Sequence, residues 1–173
     1  KYDKEAKKRR DFRKITTFTI DPVDAKDFDD ALSFKKIDEQ TIEVGVHIAD
    51  VGHFVKEKSI IDNEAFQRGN SVYLVDRVIP MLPEKLSNVL CSLRPKEDKL
   101  TFSVVFKMNF KGEILDTWFG KTVIHSNYRF TYEDVQEIIE GQKHFLSNEL
   151  IILNNLAKTI RANRLNNGAL NIE

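Results

Sequence analysis

From Leu100 to Phe110 apolar side chains stand at every second position: Leu100, Phe102, Val104, Phe106, Met108 and Phe110. Successive side chains of an extended chain point to opposite faces, so this spacing predicts a long β-strand. Lys111-Gly112 then turns the chain into a partner strand expected from about Ile114 to Val123. Two further strands are expected from Ala31 to Ile37 and from Thr41 to Ala49, joined by the short loop Asp38-Glu39-Gln40. In the second of these Ile42, Val44, Val46 and Ile48 share a face, which puts His47 on the other. Ile15 to Ile20 reads as one more strand, with Phe18 and Ile20 on one face and Thr17, Thr19 and Asp21 opposite. Asp21 is therefore expected to point away from the face that packs into the core.

Helix signals fill the remaining periodic stretches. Ser59 with Asp62 marks a start and Gly69 an end. Thr131 with Asp134 marks another start, ahead of Tyr132, Val135 and Ile139. The longest helix should begin near Ser147, bury Leu150, Leu153, Ala157 and Ile160, and stop by Gly168. Between Val72 and Pro95 the chain looks irregular, with Pro80, Pro83 and Pro95. Strands come first and helices last, which favours an α+β fold: a mixed, largely antiparallel sheet with helices packed on it.

A length of 173 residues suits one domain or part of a larger one, and a 41% apolar fraction with twelve Phe supplies a sizeable core. One cysteine, Cys91, excludes an internal disulfide and fits a reducing compartment. No signal-peptide pattern is present, and no apolar run approaches the roughly 18 residues of a membrane span. The expectation is a cytoplasmic protein with no membrane partner. The formal net charge of zero hides an asymmetry, because residues 1–14 carry eight Lys/Arg against three acids. This segment is expected to be a basic lead-in or linker, with the domain running from 15 to 173. The apolar run Ala169-Leu170-Asn171-Ile172-Glu173 begins an extended segment and stops, which suggests a chain cut from something longer.

The chemistry concentrates in Asp21-Pro22-Val23-Asp24-Ala25-Lys26-Asp27-Phe28-Asp29-Asp30, where five carboxylates share one lysine between two strand-like segments. Crowded carboxylates repel one another, and a cation relieves the repulsion. An EF-hand loop started at Asp27 fails, having Leu32 where Gly belongs and Asp38 where Glu belongs. A DxD pair holding a nucleotide-sugar metal would use Asp27 and Asp29 and leave Asp21 and Asp30 unexplained. Asp also favours turns, which accounts for any one of these residues but poorly for the set. Four carboxylates suit phosphodiester cleavage, in which Mg²⁺ binds through a few carboxylates, waters and phosphate oxygens. A loop conformation is needed for all four to converge.

The run TIDPVDAKDFDDAL (Thr19 to Leu32) resembles the signature of the RNB catalytic domain of the ribonuclease II and ribonuclease R exoribonucleases. VGVHIADVGHFV (Val44 to Val55), RGNSVYLVDRVIPMLPEKLSNVLCSL (Arg68 to Leu93) and NNGALNIE (Asn166 to Glu173) resemble further family segments in the same order, with the ribonuclease R branch favoured. Coverage runs from about Arg9 to the end.

The resemblance implies a Mg²⁺-dependent hydrolase, with Mn²⁺ as substitute, that shortens RNA from a single-stranded 3′ end and releases nucleoside 5′-monophosphates. It implies Asp29 as the catalytic residue, Asp21, Asp27 and Asp30 as metal ligands, and Tyr73 as the aromatic that stacks on the terminal base. Such stacking holds any base and suits non-specific degradation. The family domain is about twice this length and is flanked by cold-shock and S1 domains. This chain therefore reads as its N-terminal half, lacking an arginine, a glutamate and a second aromatic clamp, and is expected to be inactive alone. His47 and His53 are poor Mg²⁺ ligands, since Mg²⁺ prefers oxygen. Asp50 is a lesser candidate, Cys91 a buried filler, and Arg68, Arg77 and Arg94 are candidates for backbone contact or for salt bridges. A non-catalytic RNA-binding scaffold of the same fold is the alternative.

Overall fold

The computed structural model describes residues 2–170. Of the expected C-terminal extended run, Asn171, Ile172 and Glu173 lie outside the described residues. Seven strands form one sheet: β1 (Arg10–Asp11), β2 (Thr16–Asp21), β3 (Asp30–Lys36), β4 (Thr41–Ala49), β7 (Asp98–Asn109), β8 (Ile114–His125) and β9 (Tyr128–Thr131). Their order across the sheet is β1-β8-β7-β4-β3-β2-β9. The interior pairs are antiparallel, and the two edge pairs, β1 with β8 and β2 with β9, are parallel. The fold is thus α+β with a mixed, largely antiparallel sheet.

Helices cover one face of the sheet in part. α4 (Tyr132–Ile139) and α5 (Ser147–Asn166) bury Phe18, Phe130, Ile138, Leu146 and Leu150 together. Next to them Leu156 packs on Phe34, Ile42, Val44 and Met108. The stripe of α5 therefore runs through Leu156 instead of Ala157, which is exposed. Thr131 caps α4 by accepting from Asp134 N–H while Asp134 accepts from Thr131 N–H, a reciprocal box. Ser59 caps α3 (Ile60–Arg68) by accepting from Asp62 N–H, while the Asp62 carboxylate accepts from Lys58 N–H, and Gly69 ends the helix at φ 76°. Two single-turn helices, α1 (Asp3–Ala6) and α2 (Val51–Phe54), complete the helical set outside the segment 72–95.

β7 packs on both faces. Phe102, on its apolar face, is 50% exposed, but Leu100 and Met108 of that face are buried, as are Thr101, Ser103 and Val105 on the other. Polar groups are buried on that other face through a chain of satisfied hydroxyls. His47 Nδ1 lies 2.6 Å from Ser103 Oγ and its Nε2 2.8 Å from Ser33 Oγ. Thr122 Oγ1 in turn bonds Ser103 Oγ and Thr101 Oγ1. Polar groups that satisfy one another can be buried, so this face carries the second core. There Phe12, Phe28, Ala31, Leu86, Cys91, Leu93, Val105 and Ile124 pack together.

Asp21 shares that face, so the expectation that it points away from the core is corrected: it is buried. The basic N-terminal segment also enters the fold earlier than expected. Arg10 and Asp11 pair with β8, Phe12 is buried, and Arg9 donates to Thr101 O and Thr122 O while pairing with Asp50 at 2.7 Å. Ahead of these, Ala6 is buried against Leu100 and Val123, so packing begins before Ile15. The segment 72–95 is ordered too, as a hairpin of β5 (Val72–Tyr73) and β6 (Val78–Ile79) followed by a wide-turned π-helix, Lys85–Cys91.

Candidate active site

Asp21 is the last residue of β2 and Asp30 the first of β3; residues 22–29 form the loop between these neighbouring strands. Phe28 anchors that loop by burying its ring in the second core. The loop rejoins the sheet where Ala49 N–H donates to Asp29 O at 2.9 Å. The carboxylates are thereby held at the rim of the sheet, between a buried aromatic and solvent.

A cleft of about 750 Å³ opens beside them. Asp21, Asp24, Asp27 and Asp29 line one wall, with Tyr73 and Arg77 of the hairpin and Ser87 and Asn88 of the π-helix also lining it. Tyr73 is 70% exposed, so its ring is free to meet a ligand in the cleft. Asp30 lies beyond this lining, at the start of β3, yet its charge is felt at both Asp21 and Asp29. Three of the four predicted aspartates, Asp21, Asp27 and Asp29, thus line one cleft, and Asp30 stands next to the loop but outside that lining. Asp24, of the same run of five, lines the cleft with them.

Electrostatics mark the cluster as strained. Burial, joined by the charges of Asp30 and Asp27, holds the Asp21 carboxyl above the usual carboxylate range. Asp29 is raised as well, by partial burial of its carboxyl and then by Asp27, Asp30 and Asp21. Asp21 Oδ2 is shut away from solvent without a hydrogen-bond partner. A buried acceptor left so is costly and suits a cation. Among the described residues no three His, Cys, Asp or Glu side chains enclose a single point as a protein cage. Mg²⁺ does not require one, since it keeps waters and takes one or two carboxylates plus phosphate oxygens. The all-oxygen donor set fits that ion or Mn²⁺.

The other candidates have structural partners. His47 is buried in the hydroxyl chain, and burial lowers its pKa to about 4. Asp50 pairs with Arg9. Arg68 pairs with Glu64, Arg77 with Asp76 and Arg94 with Glu97. His53 is partly exposed beside Glu5. Cys91 is buried, its thiol pushed up to about 11 by burial. No helix among the described residues is long and apolar enough to cross a membrane.

An acidic loop at a sheet rim thus lines one cleft together with an exposed aromatic, a candidate phosphodiester site. The chain belongs to the RNB domain family, whose model matches residues 9–173. It is 44% identical to "DIS3-like exonuclease 2" of Caenorhabditis elegans over 99% of this chain and 23% of that protein. With "Ribonuclease R 1" of Lactococcus lactis it shares 46% identity over 81% of this chain and 17% of the relative. Among solved structures, Mycoplasma genitalium RNase R in complex with ribose-methylated single-stranded RNA superposes with a TM-score of 0.91 and 31% identity, covering 99% of this chain and 28% of that one. Yeast Ssd1, described as a pseudonuclease, shares the fold at a TM-score of 0.83 and 24% identity over 94% of this chain and 20% of its own. The chain thus spans about a fifth of the curated relatives' length.

Proposed function

We propose that this chain supplies the acidic half of the active site of a Mg²⁺-dependent hydrolytic exoribonuclease. The full-length protein would shorten RNA from a single-stranded 3′ end and release nucleoside 5′-monophosphates, in the cytoplasm. The observation that carries this reading is the cleft in which Asp21, Asp27 and Asp29 stand together with the exposed ring of Tyr73. Asp21, Asp27 and Asp30 would supply the one or two carboxylates that hold the cation and the support around them, and Asp29 would act at the scissile phosphate. A bound Mg²⁺, for which Mn²⁺ substitutes, supplies a more acidic water and a counter-charge for the phosphate. Tyr73 would stack on the terminal base and place the last phosphodiester at the carboxylates. The arginine, glutamate and second aromatic that the family resemblance implies would come from residues outside this chain. Cold-shock and S1 domains would flank the whole and supply basic RNA-binding surface.

The test is degradation of 5′-labelled single-stranded RNA by the full-length protein, with and without Mg²⁺. Stepwise shortening that needs Mg²⁺ and disappears in Asp29→Asn is the expected result. Unimpaired shortening by that variant would sink the role given to Asp29. A non-catalytic RNA-binding scaffold is the second reading, prompted by the fold shared with Ssd1. It predicts RNA binding and stability that do not respond to Mg²⁺ or Mn²⁺.

A further inference from the structure

Residues 22–29 lie outside any helix or strand, so the spacing of their aspartates depends on what fastens the loop. Two side chains from distant parts of the sequence do so. Arg129, on β9, donates through Nη2 to the carbonyl oxygens of Pro22 and Val23, the latter at 3.1 Å. Its guanidinium also lies over the Phe28 ring, 5.5 Å from the centroid. One residue thus grips the loop just after Asp21 and rests on the ring between Asp27 and Asp29.

Ser92 follows the π-helix and is fully buried. Its Oγ accepts from Phe28 N–H at 3.0 Å and donates to Lys26 O at 2.9 Å. These two bonds straddle Asp27. Leu93 N–H adds a bond to Phe28 O at 2.8 Å, tying the same point to the chain that leaves the cleft's far wall. A hydroxyl is one donor and a two-fold acceptor, so alanine at this position would leave both loop groups without their side-chain partner.

We infer that Ser92 and Arg129 are positioning residues that set the spacing of Asp21, Asp27 and Asp29 for cation and substrate. The inference rests on the metal-dependent reading of the site. Neither residue lines the cleft; Ser92 acts through the loop it holds, and Arg129 both holds the loop and places its charge near Asp21. For Arg129 the planar guanidinium matters as much as the charge, because it lies over the Phe28 ring while Nη2 donates to both carbonyls, and a lysine ammonium has no plane to stack.

The test compares wild-type full-length protein with Ser92→Ala, Arg129→Lys and Asp29→Asn. Mn²⁺ binding is followed by calorimetry, kcat and KM on single-stranded RNA by turnover, and folding by circular dichroism. Residues that orient metal ligands typically cost about 10- to 100-fold in metal affinity or activity when altered. Ser92→Ala and Arg129→Lys are expected to weaken Mn²⁺ binding and lower kcat within that range while KM for RNA stays unchanged. A melting temperature lowered with Mn²⁺ affinity and kcat intact would show a merely structural role and overturn the inference. Should Ser92→Ala fail to fold, Arg129→Lys decides by the same criteria. Absence of Mn²⁺ binding in the wild type, with Asp29→Asn fully active, would instead overturn the metal-dependent reading itself.

Discussion

His47 is the residue whose chemistry changed most between sequence and structure. Its imidazole bridges Ser33 and Ser103 on the buried face, and burial, with Arg10 nearby, lowers its pKa to about 4. A histidine whose folded value lies below its unfolded one leaves the unfolded state holding more protons in between. The stability it contributes is full above about 6.5 and is lost as pH falls toward 4. That gap corresponds to about 3 kcal/mol. Equilibrium denaturation at steps between pH 7 and pH 4 should show this loss in the wild type and its absence in His47→Gln; parallel curves would refute the assignment. A sequence places His47 on a strand face but does not say whether that face is dry, since Ser33 and Ser103 come from other strands. The same blindness hid the burial of Asp21, whereas the gathering of the aspartates was legible because they are neighbours in the chain.

At the scale of elements, β4 illustrates how tightly the buried face is drawn. A Cβ built on Gly45 would collide with Ser33 Oγ and lie 2.6 Å from His47 Nε2. Gly45→Ala must push the two hydrogen-bonded groups apart, and overpacking of this kind typically costs about 1–3 kcal/mol. The measurement is the denaturation midpoint, and an unchanged midpoint would show that the hydroxyl chain is slack. Helix ends that carry their own chemistry, Ser59 before α3 and Thr131 before α4, could be read directly because capping is local. Segment 72–95 could not. Its hairpin needs only Val72 and Tyr73 against Val78 and Ile79, too short a pattern for periodicity to register, and its helix opens just after Pro83 with a non-standard turn. Since Tyr73, Arg77, Ser87 and Asn88 all belong to this stretch, half of the cleft was invisible as structure and visible only as a family resemblance.

For the molecule as a whole, charge bears on how the proposed site would meet an RNA strand. The net charge is zero, and the cleft wall carries Asp21, Asp24, Asp27 and Asp29 against Lys26 and an Arg77 already paired with Asp76. RNA affinity rests chiefly on Lys and Arg contacts to phosphate, so this surface by itself repels a strand more than it holds one. The sheet face beyond α4 and α5 leaves Ile48, Phe102 and Phe119 exposed close to the strand end that carries Asp30. Residues 1–173 expressed alone should therefore bind single-stranded RNA weakly, with a shallow dependence on salt, and should not shorten it even in Mg²⁺. The comparison is a 5′-labelled RNA incubated with this chain and, in parallel, with the full-length protein at equal molar concentration. Weak binding without cleavage by the chain, beside shortening by the longer protein, is the outcome that the proposed function predicts. Robust degradation by residues 1–173 would mean that these carboxylates and Tyr73 suffice, and that the missing basic and aromatic partners are dispensable.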